Sequence, residues 1–294
     1  MKCAFLTMQD PGKFVMDYDL CFGAFANHGW TVEEVKWRDT GADWDQYDAV
    51  YLCTAWDYPD HFDDFVALLN KVEASSAMLI NDLSLVRWNM RKTYLRDLQA
   101  AGADIVPSLW FDGIAGEVID DWFDAHGTDT VIIKPVVGAN AQDTFVLHNP
   151  VDNDTRALLR VAFQNRAYLV QPFVENIRTE GEFSLFYFGG EFSHAILKRP
   201  ASGEFRSQEE YGSQIKNVQP EAVLRSAGAK IVALIEPQPV YVRVDLIRGP
   251  DGRFLLMELE LIEPSLYLRT DDGAAERFAA AFDQHFRTIT PPPP

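Results

Sequence analysis

Ten residues near the C-terminus, FLLMELELIE from Phe254 to Glu263, constrain the fold of this chain more than any other segment. Most of them are large and apolar, which favours a buried strand, yet Glu258 and Glu260 lie among them. A carboxylate that is buried without a partner is costly and shifts its pKa. The sequence therefore predicts that a cationic group meets this pair of glutamates in the folded protein.

A turn sequence, GPDG at 249–252, precedes this strand and predicts an antiparallel hairpin over 240–262. Folding at this turn pairs Arg243 with Glu258, and we expect no bulge. Because the side chains of a strand alternate between its faces, one face of the hairpin is apolar and the other is polar. The predicted apolar face carries Val242, Val244, Leu246, Leu255, Met257, Leu259 and Leu261, and the predicted polar face carries Arg243, Asp245, Glu258 and Glu260.

Three carboxylates with a single arginine among them repel one another unless something compensates their charge. A divalent metal ion does so, and a set of oxygen ligands selects Mg²⁺ or Mn²⁺. Asp245, Glu258 and Glu260 are therefore the candidate metal ligands. The alternative is a solvated hairpin face with cross-strand ion pairs, in which Arg243 only pairs with Glu258.

The order of predicted elements indicates an α/β lobe joined to an α+β body. In the first eighty residues, strands at 2–8, 31–37, 49–54 and 77–81 alternate with helices at 20–28 and 62–72, which predicts a parallel sheet. A helix is then expected over 84–101, capped by Ser84. Further strands are expected at 105–110, 130–135, 143–147, 167–172, 182–188 and 191–198, with helices at 117–126, 154–163, 221–235 and 273–286.

Composition excludes several classes of partner. The net charge of -18 argues against nucleic acid and anionic membranes as general partners. Three cysteines without a CxxC motif fit a reducing cytoplasm, and no apolar run has membrane-spanning length. We therefore expect a cytoplasmic protein with a small-molecule ligand; the sequence does not distinguish a monomer from a homo-oligomer.

Two lysines are candidates for binding an anionic ligand. Lys134 ends the apolar strand VIIKP, beside a loop of small residues at 135–144 whose backbone N–H groups can approach an anion. Lys92 lies in WNMRK, near the start of a predicted helix. Each lysine alone also fits a surface residue whose aliphatic stem covers apolar neighbours.

Taken in order, these motifs resemble the ATP-grasp superfamily of carboxylate–amine ligases, and the wording of several resembles the branch that contains the O-ureido-D-serine cyclo-ligase of cycloserine biosynthesis. The resemblance implies a Rossmann-like pre-ATP-grasp domain over 1–83 and a two-lobed ATP-grasp fold over 84–294, with a small nucleotide-covering lobe at about 108–172. The segments that carry it are WNMRK, VIIKP, LVQPFV, GEFS, KRP, RVD and MELELIEPS.

The resemblance also implies two ligands, ATP and Mg²⁺, with two metal ions expected and Mn²⁺ as a substitute. It assigns the nucleotide phosphates to two lysines, the adenine to a hinge strand, the ribose to one acid and the metal to three. These are, in turn, Lys92 and Lys134; Gln171 with the backbone of Phe173 and Val174; Glu182; and Asp245, Glu258 and Glu260.

Such ligases activate a carboxylate as an acyl phosphate, which an amine then attacks. This chemistry needs neutralisation of charge on the phosphoryl group and the oxyanion, and it needs no side-chain nucleophile. We expect six residues to serve it or the acceptor. They are Lys198 and Arg199 at the phosphoryl group or acceptor carboxylate, Arg243 at the oxyanion, Arg206 in a loop that closes over the site, and Ser265 and His194 at the substrate.

The sequence thus predicts an ADP-forming ligase that acts on a small amino-acid-like substrate, with ring closure of O-ureido-D-serine as its reaction. Three alternatives remain open. One is an intermolecular amide ligase with the same site, and another is a nucleotide-binding module without chemistry. The third is a metal-dependent hydrolase, which does not explain Lys92, Lys134 and Gln171 in their order. Arg199 and Arg206 also fit as ordinary surface residues.

Overall fold

The computed structural model describes residues 1–114, 119–138 and 141–289. Within these ranges the strands form three sheets, two of four strands and one of five. The strands are β1 (Lys2–Thr7), β2 (Thr31–Lys36), β3 (Ala49–Thr54), β4 (Met78–Ile80), β5 (Leu109–Phe111), β6 (Thr130–Pro135), β7 (Phe145–His148), β8 (Tyr168–Pro172), β9 (Glu182–Phe188), β10 (Glu191–Arg199), β11 (Gln214–Asn217), β12 (Tyr241–Arg248) and β13 (Phe254–Glu260).

The helices pack against these sheets and connect them. In the described ranges, none has the length and apolar character that crossing a membrane requires. The α-helices are α1 (Phe22–Asn27), α2 (Phe62–Glu73), α3 (Leu83–Asn89), α4 (Tyr94–Ala100), α5 (Asp121–His126), α6 (Asn153–Phe163), α7 (Asn176–Thr179), α8 (Ala222–Val232) and α9 (Ala274–Ile289).

The first sheet has the order β2-β1-β3-β4 with every pair parallel, which confirms the predicted α/β lobe. The closing helix α9 returns to this lobe. The ring of its Phe278 lies 5.2 Å from that of Tyr51, and the ring of Phe282 lies 4.9 Å from that of Phe25. The two ends of the chain therefore share one core.

The helix predicted over 84–101 is wrong in two respects. It is two helices, α3 and α4, and the N-cap of α3 is Asp82, whose carboxylate accepts hydrogen bonds from the N–H groups of Ser84 and Leu85. At the break between the helices, the N–H of Lys92 donates to the carbonyl of Val136 at 2.8 Å. This bond to the second sheet replaces a helical one and fixes where Lys92 points.

The second sheet, of order β5-β8-β6-β7, is antiparallel throughout. Its edge strand β5 is shorter than predicted, because Ile105 makes only an isolated bridge to Leu256 of the third sheet. Two predicted features lie partly outside the described residues: the helix at 117–126, of which 121–126 is observed, and the loop after Lys134, which passes through 139–140.

The third sheet, of order β11-β10-β9-β12-β13, contains the predicted hairpin, but its predicted register is wrong. Leu246 pairs with Leu256 and Asp245 pairs with Glu258, so Met257 forms a bulge that we did not expect. Leu256 therefore enters the core, whereas Met257 turns toward the polar face. The bulge shifts the partner of Arg243 from Glu258 to Glu260, and the four polar residues still share one face.

Two buried asparagines fasten this hairpin to the first lobe and to α3. The Asn81 amide donates to the carbonyls of Tyr241 and Leu261, both at 2.9 Å, and its oxygen accepts from the N–H of Val240 at 2.7 Å. The Asn89 amide donates to the carbonyl of Leu259 and accepts from Leu261. The acidic strand is thus held in place by side chains from outside its own sheet.

We expect Asn81→Ala to lower the free energy of unfolding by about 3 kcal/mol or more, because it leaves three buried backbone groups without partners. Urea unfolding measures the change. Asn70→Ala is the control, since Asn70 is exposed and its side-chain oxygen accepts a hydrogen bond from the Arg87 guanidinium. A loss below about 1 kcal/mol for Asn81→Ala would contradict this account of the joint.

Candidate active site

The three sheets surround a large cleft, with about 1720 Å³ of open space when its mouth is counted. The second and third sheets form two walls of the cleft, and residues that follow β1 and β3 form a third. Most of the residues that we predicted at the site line it: Lys92, Lys134, Gln171, Phe173, Val174, Glu182, Lys198, Arg206, Arg243, Asp245, Glu258, Glu260 and Ser265.

Cations meet Glu258 and Glu260 of the FLLMELELIE segment, as predicted. The Lys92 ammonium donates to Glu258 and also to the carbonyl of Gly138 at 3.2 Å. The Arg243 guanidinium donates to Glu260 from the neighbouring strand. Arg243 therefore pairs with Glu260 across the hairpin and not with Glu258. The bulge at Met257 displaces Glu258 by one position.

Asp245 is the most enclosed acid of this face, and its carboxylate is fully engaged. It accepts hydrogen bonds from the Ser184 hydroxyl and the Arg243 guanidinium, and the Lys198 ammonium lies 3.5 Å away. Burial opposes ionisation of this carboxyl, but Arg243 and Lys198 lower its pKa to about 2. Asp245 is therefore charged at all working pH values.

The two glutamates differ in charge state. Burial alone would raise the pKa of Glu258, but Lys92 and Lys134 lower it below its usual range. For Glu260, burial together with Asp245 and Glu258 outweighs Arg243 and raises the pKa to about 7. A divalent metal ion beside Glu260 would lower this pKa and favour the charged carboxylate.

The chemistry of these donors fits Mg²⁺, because all of them are carboxylate oxygens and Asp245 lies directly opposite Glu258. Their present arrangement is not a metal cage: within the described ranges, no three acidic, histidine or cysteine side chains are grouped to hold an ion. Lys92 and Arg243 occupy the glutamates instead. Both glutamate side chains are about a third exposed to the cleft, at 34% and 32%, so they can turn toward an ion without opening the core.

Lys134 differs from the other cations of the cleft. Within the part of the chain that the structure describes, no carboxylate lies within 4.0 Å of its ammonium and no hydrogen bond to it is formed. Burial lowers its pKa to about 8, with Lys92 acting in the same direction and Glu258 against it. An ammonium that is desolvated and lacks a counter-ion is poised to bind an anionic ligand.

The hinge strand places a polar edge in the cleft. The Gln171 amide is buried and donates to the Ser108 hydroxyl at 2.8 Å, so it braces the start of the small sheet. The N–H of Phe173 already donates to the carbonyl of Thr130. The N–H of Val174 makes no backbone hydrogen bond within the described residues, which leaves it as the free donor at this edge.

Both oxygens of Glu182 are occupied. One accepts from the Lys198 ammonium at 2.6 Å, and the other accepts from the hydroxyl of Ser207. Burial lowers the pKa of Lys198, but Asp245 and Glu182 more than offset this, so its pKa lies above the ordinary value. Binding of a sugar hydroxyl by Glu182 therefore requires that the loop carrying Ser207 releases it.

That loop, residues 200–213, also carries Arg206 into the cleft. The guanidinium of Arg206 pairs with Glu204 and lies 3.7 Å from the centre of the Tyr211 ring. Its Nε atom is buried and has no hydrogen-bond partner among the described residues. Arg206 thus contacts other residues of its own loop. Because it also lines the cleft, it is better placed to help close the cleft than an ordinary surface arginine would be.

Two of the predicted site residues lie elsewhere. Arg199 is exposed, does not line the cleft and donates to the carbonyl of Glu180, because neighbours on a strand face opposite sides and Lys198 faces inward. His194 is buried against the ring of Phe186 at 4.2 Å and binds the carbonyl of Leu266 at 3.0 Å. Burial lowers the pKa of His194 to about 4, so it is a neutral structural group.

Sequence reasoning missed the wall that the first lobe contributes. Phe14, Trp56 and Tyr58 line the cleft, and the Trp56 indole donates to the carbonyl of Glu263 at 2.7 Å. These residues follow β1 and β3. A signal was available, because ligands of parallel α/β sheets bind at the carboxyl ends of the strands. Glu263 itself, the third acid of the MELELIEPS motif, was also overlooked.

Comparison with known proteins agrees with this geometry. Residues 3–81 match the family described as "D-cycloserine synthetase DcsG, N-terminal domain", and residues 115–250 match "Prokaryotic glutathione synthetase, ATP-grasp domain". The chain is 29% identical to cycloserine biosynthesis protein DcsG of Streptomyces lavendulae over 296 aligned residues, which cover 95% of this chain and 97% of that protein.

Solved structures show the same likeness. The crystal structure of D-cycloserine synthetase DcsG superposes with a TM-score of 0.85 at 28% identity. The match covers 97% of this chain and 100% of that chain. D-alanine–D-alanine ligase from Bacillus anthracis shares the fold, with a TM-score of 0.68 at 12% identity over 98% of each chain. ATP-grasp ligases use ATP and a divalent metal ion. The chain is thus similar to ATP-grasp proteins in sequence over residues 115–250 and in fold over nearly its whole length, and it is an ATP-dependent ligase.

Proposed function

We propose that this protein closes the ring of O-ureido-D-serine, with activation of the substrate carboxylate by ATP. The substrate nitrogen displaces phosphate from the acyl phosphate, and hydrolysis of the carbamoyl group, with release of CO₂ and ammonia, leaves D-cycloserine. The observation that carries the proposal is the position of Lys134 across one cleft from the three acids Asp245, Glu258 and Glu260, with no carboxylate within 4.0 Å of its ammonium among the described residues. The likeness to DcsG over nearly the whole chain supports the choice of substrate.

We propose the following division of the chain. Residues 1–83 form the pre-ATP-grasp domain, which supplies the acceptor wall, and residues 84–294 form the ATP-grasp domain. Within the latter, a small lobe at about 108–172 covers the nucleotide. We propose a cytoplasmic location, with which the three free and buried cysteines agree.

When bound, Mg·ATP supplies the phosphoryl group that activates the substrate carboxylate. Lys134 and Lys92 would neutralise the phosphates. Lys92 would leave its contact with Glu258 and contact the phosphates instead. Asp245, Glu258 and Glu260 would hold the metal, for which we propose two Mg²⁺ ions. The N–H of Val174 and the hinge at Gln171 and Phe173 bind the adenine, and Glu182 binds the ribose after Ser207 releases it.

The remaining residues act on the substrate. The Arg243 guanidinium, which already spans Glu260 and the carbonyl of Ser265 at 3.3 Å, stabilises the developing oxyanion when the nitrogen attacks. The Lys198 ammonium holds Asp245 and Glu182 in place. Arg206 and its loop exclude water during the reaction. Arg199 and His194 have no part in this proposal, because they lie outside the cleft.

A coupled assay of ADP release tests the proposed function. We expect ADP formation that requires Mg²⁺ and O-ureido-D-serine together, with no second amine. Release of ADP only after another amino acid is added would identify an intermolecular ligase with the same site. Binding of ATP without any substrate-dependent ADP release would identify a nucleotide-binding module.

Nucleotide binding should take up protons above neutral pH. Lys134 titrates at about 8 in the free protein, and the phosphates raise its pKa, so at pH 8.5 the ammonium regains a proton on binding. ATP affinity accordingly falls as the pH rises through 8. Calorimetry without metal, in two buffers of different ionisation enthalpy, measures the uptake. Lys134→Arg, which stays charged, should show none, and a wild type without uptake would contradict the assignment.

A further inference from the structure

Glu263 is an acid of the cleft that the reaction described above does not use. It lies three residues beyond Glu260, where the strand has ended, and it is partly buried. Within the described ranges, no Lys, Arg or His nitrogen lies within 4.0 Å of its carboxylate. Its carboxyl group therefore faces the cleft without a cation from the described part of the chain.

The other acids along this wall provide a contrast. Glu258 pairs with Lys92, Glu260 and Asp245 pair with Arg243, and Glu182 pairs with Lys198. The fold therefore supplies a cation for each acid that we assign to the nucleotide and the metal, whereas the described residues supply none for Glu263. A carboxylate left unpaired in a cleft is expensive unless a ligand provides the charge.

The surroundings of Glu263 point to the substrate rather than to the nucleotide. Its carbonyl accepts from the Trp56 indole, and Trp56 and Tyr58 belong to the wall that the first lobe contributes. Burial, together with Glu260, raises the pKa of Glu263 well above its usual range, although Arg243 acts against this. A cationic ligand group here would restore the charged form and stabilise the complex.

We propose that Glu263 binds the ammonium group of an amino-acid substrate, so that the site selects zwitterions over plain carboxylic acids. This inference rests on the proposed function. Arg243 connects the two ends of such a substrate, because it contacts Glu260 on the metal face and the carbonyl of Ser265 beyond Glu263. A substrate carboxylate next to Arg243 therefore places an ammonium on the neighbouring carbon toward Glu263.

Calorimetry with two ligands tests the inference. O-ureido-D-serine and its analogue without the amino group are each titrated into protein saturated with Mg²⁺ and a non-hydrolysable ATP analogue. We expect the wild type to bind the amine-bearing ligand about 10- to 100-fold more tightly, as expected for a hydrogen bond between charged groups. Glu263→Gln should lose this preference and bind the analogue as the wild type does.

Two further variants serve as controls. Glu263→Asp keeps the charge and should keep part of the preference. Glu210→Gln removes another acid that lines the cleft and has no ion-pair partner within the described residues, and it should keep all of the preference. Unchanged affinity for the ATP analogue in each variant shows that the fold is intact.

A wild type that does not distinguish the two ligands, or a Glu263→Gln variant that still does, would overturn the assignment. These outcomes are separate from a failure of the proposed function, which is read as absence of ADP release. A protein that cyclises O-ureido-D-serine and shows no preference for the amine would keep its function and lose this role for Glu263.

Discussion

Replacing Glu258 with Gln should lower kcat/KM for ADP formation by about 100- to 1000-fold, the size of effect expected when one preorganised charge is removed from an active site. Glu258 lies directly opposite Asp245 and is about a third exposed to the cleft, at 34%, so it is placed to bind an ion held between the two strands. The substitution changes charge with little change in volume, and the fold should persist.

The measurement is ADP release as a function of Mg²⁺ concentration, with Glu73→Gln as the control because Glu73 is exposed on α2. We expect the variant to need far more Mg²⁺ for its residual activity, whereas the control behaves as the wild type. If Glu258→Gln reached wild-type turnover at low Mg²⁺, Glu258 would not be a metal ligand.

Lys134→Met should weaken ATP binding by about 10- to 100-fold and at the same time stabilise the protein, on the order of 1 kcal/mol. The two effects have one cause. The ammonium of Lys134 is desolvated and has no counter-ion within the described residues until phosphate arrives, so it costs stability in the free protein and contributes affinity in the complex. Methionine keeps most of the length and removes the charge.

Calorimetry of nucleotide binding and urea unfolding without ligand measure the two effects. Lys230→Met is the matched control, because Lys230 is exposed on α8 and lies 3.9 Å from Asp104. We expect this variant to change neither quantity appreciably. Unchanged ATP affinity in Lys134→Met would show that Lys134 does not bind the nucleotide phosphates.

The hairpin shows how far the sequence could predict the site. Alternation along two strands sorted Arg243, Asp245, Glu258 and Glu260 onto one face correctly. The register could not be read in the same way, because the bulge at Met257 depends on packing against other elements rather than on the turn. A single displaced residue then changed which acid Arg243 meets.

Partners from distant parts of the chain were harder still to predict. That Lys92 meets Glu258, 166 residues away, depends on the break between α3 and α4, which resembles one continuous helix in sequence. The wall from the first lobe, with Trp56, is visible only once the end of β3 is placed over the cleft. The prediction that Arg199 lines the cleft was wrong. Consecutive residues of a strand face opposite sides, so Arg199 cannot face the cleft together with Lys198.

Product analysis with O-ureido-D-serine as the sole substrate is the most direct test of whether the protein closes a ring within one molecule. Purified protein with Mg·ATP is incubated with this compound, and ADP and the organic product are quantified by mass spectrometry. We expect one ring-closed product per ADP without any added amine. In Glu258→Gln we expect a large loss of both ADP and the ring-closed product. Absence of ADP and cyclised product until a second amine is supplied would contradict ring closure within one molecule.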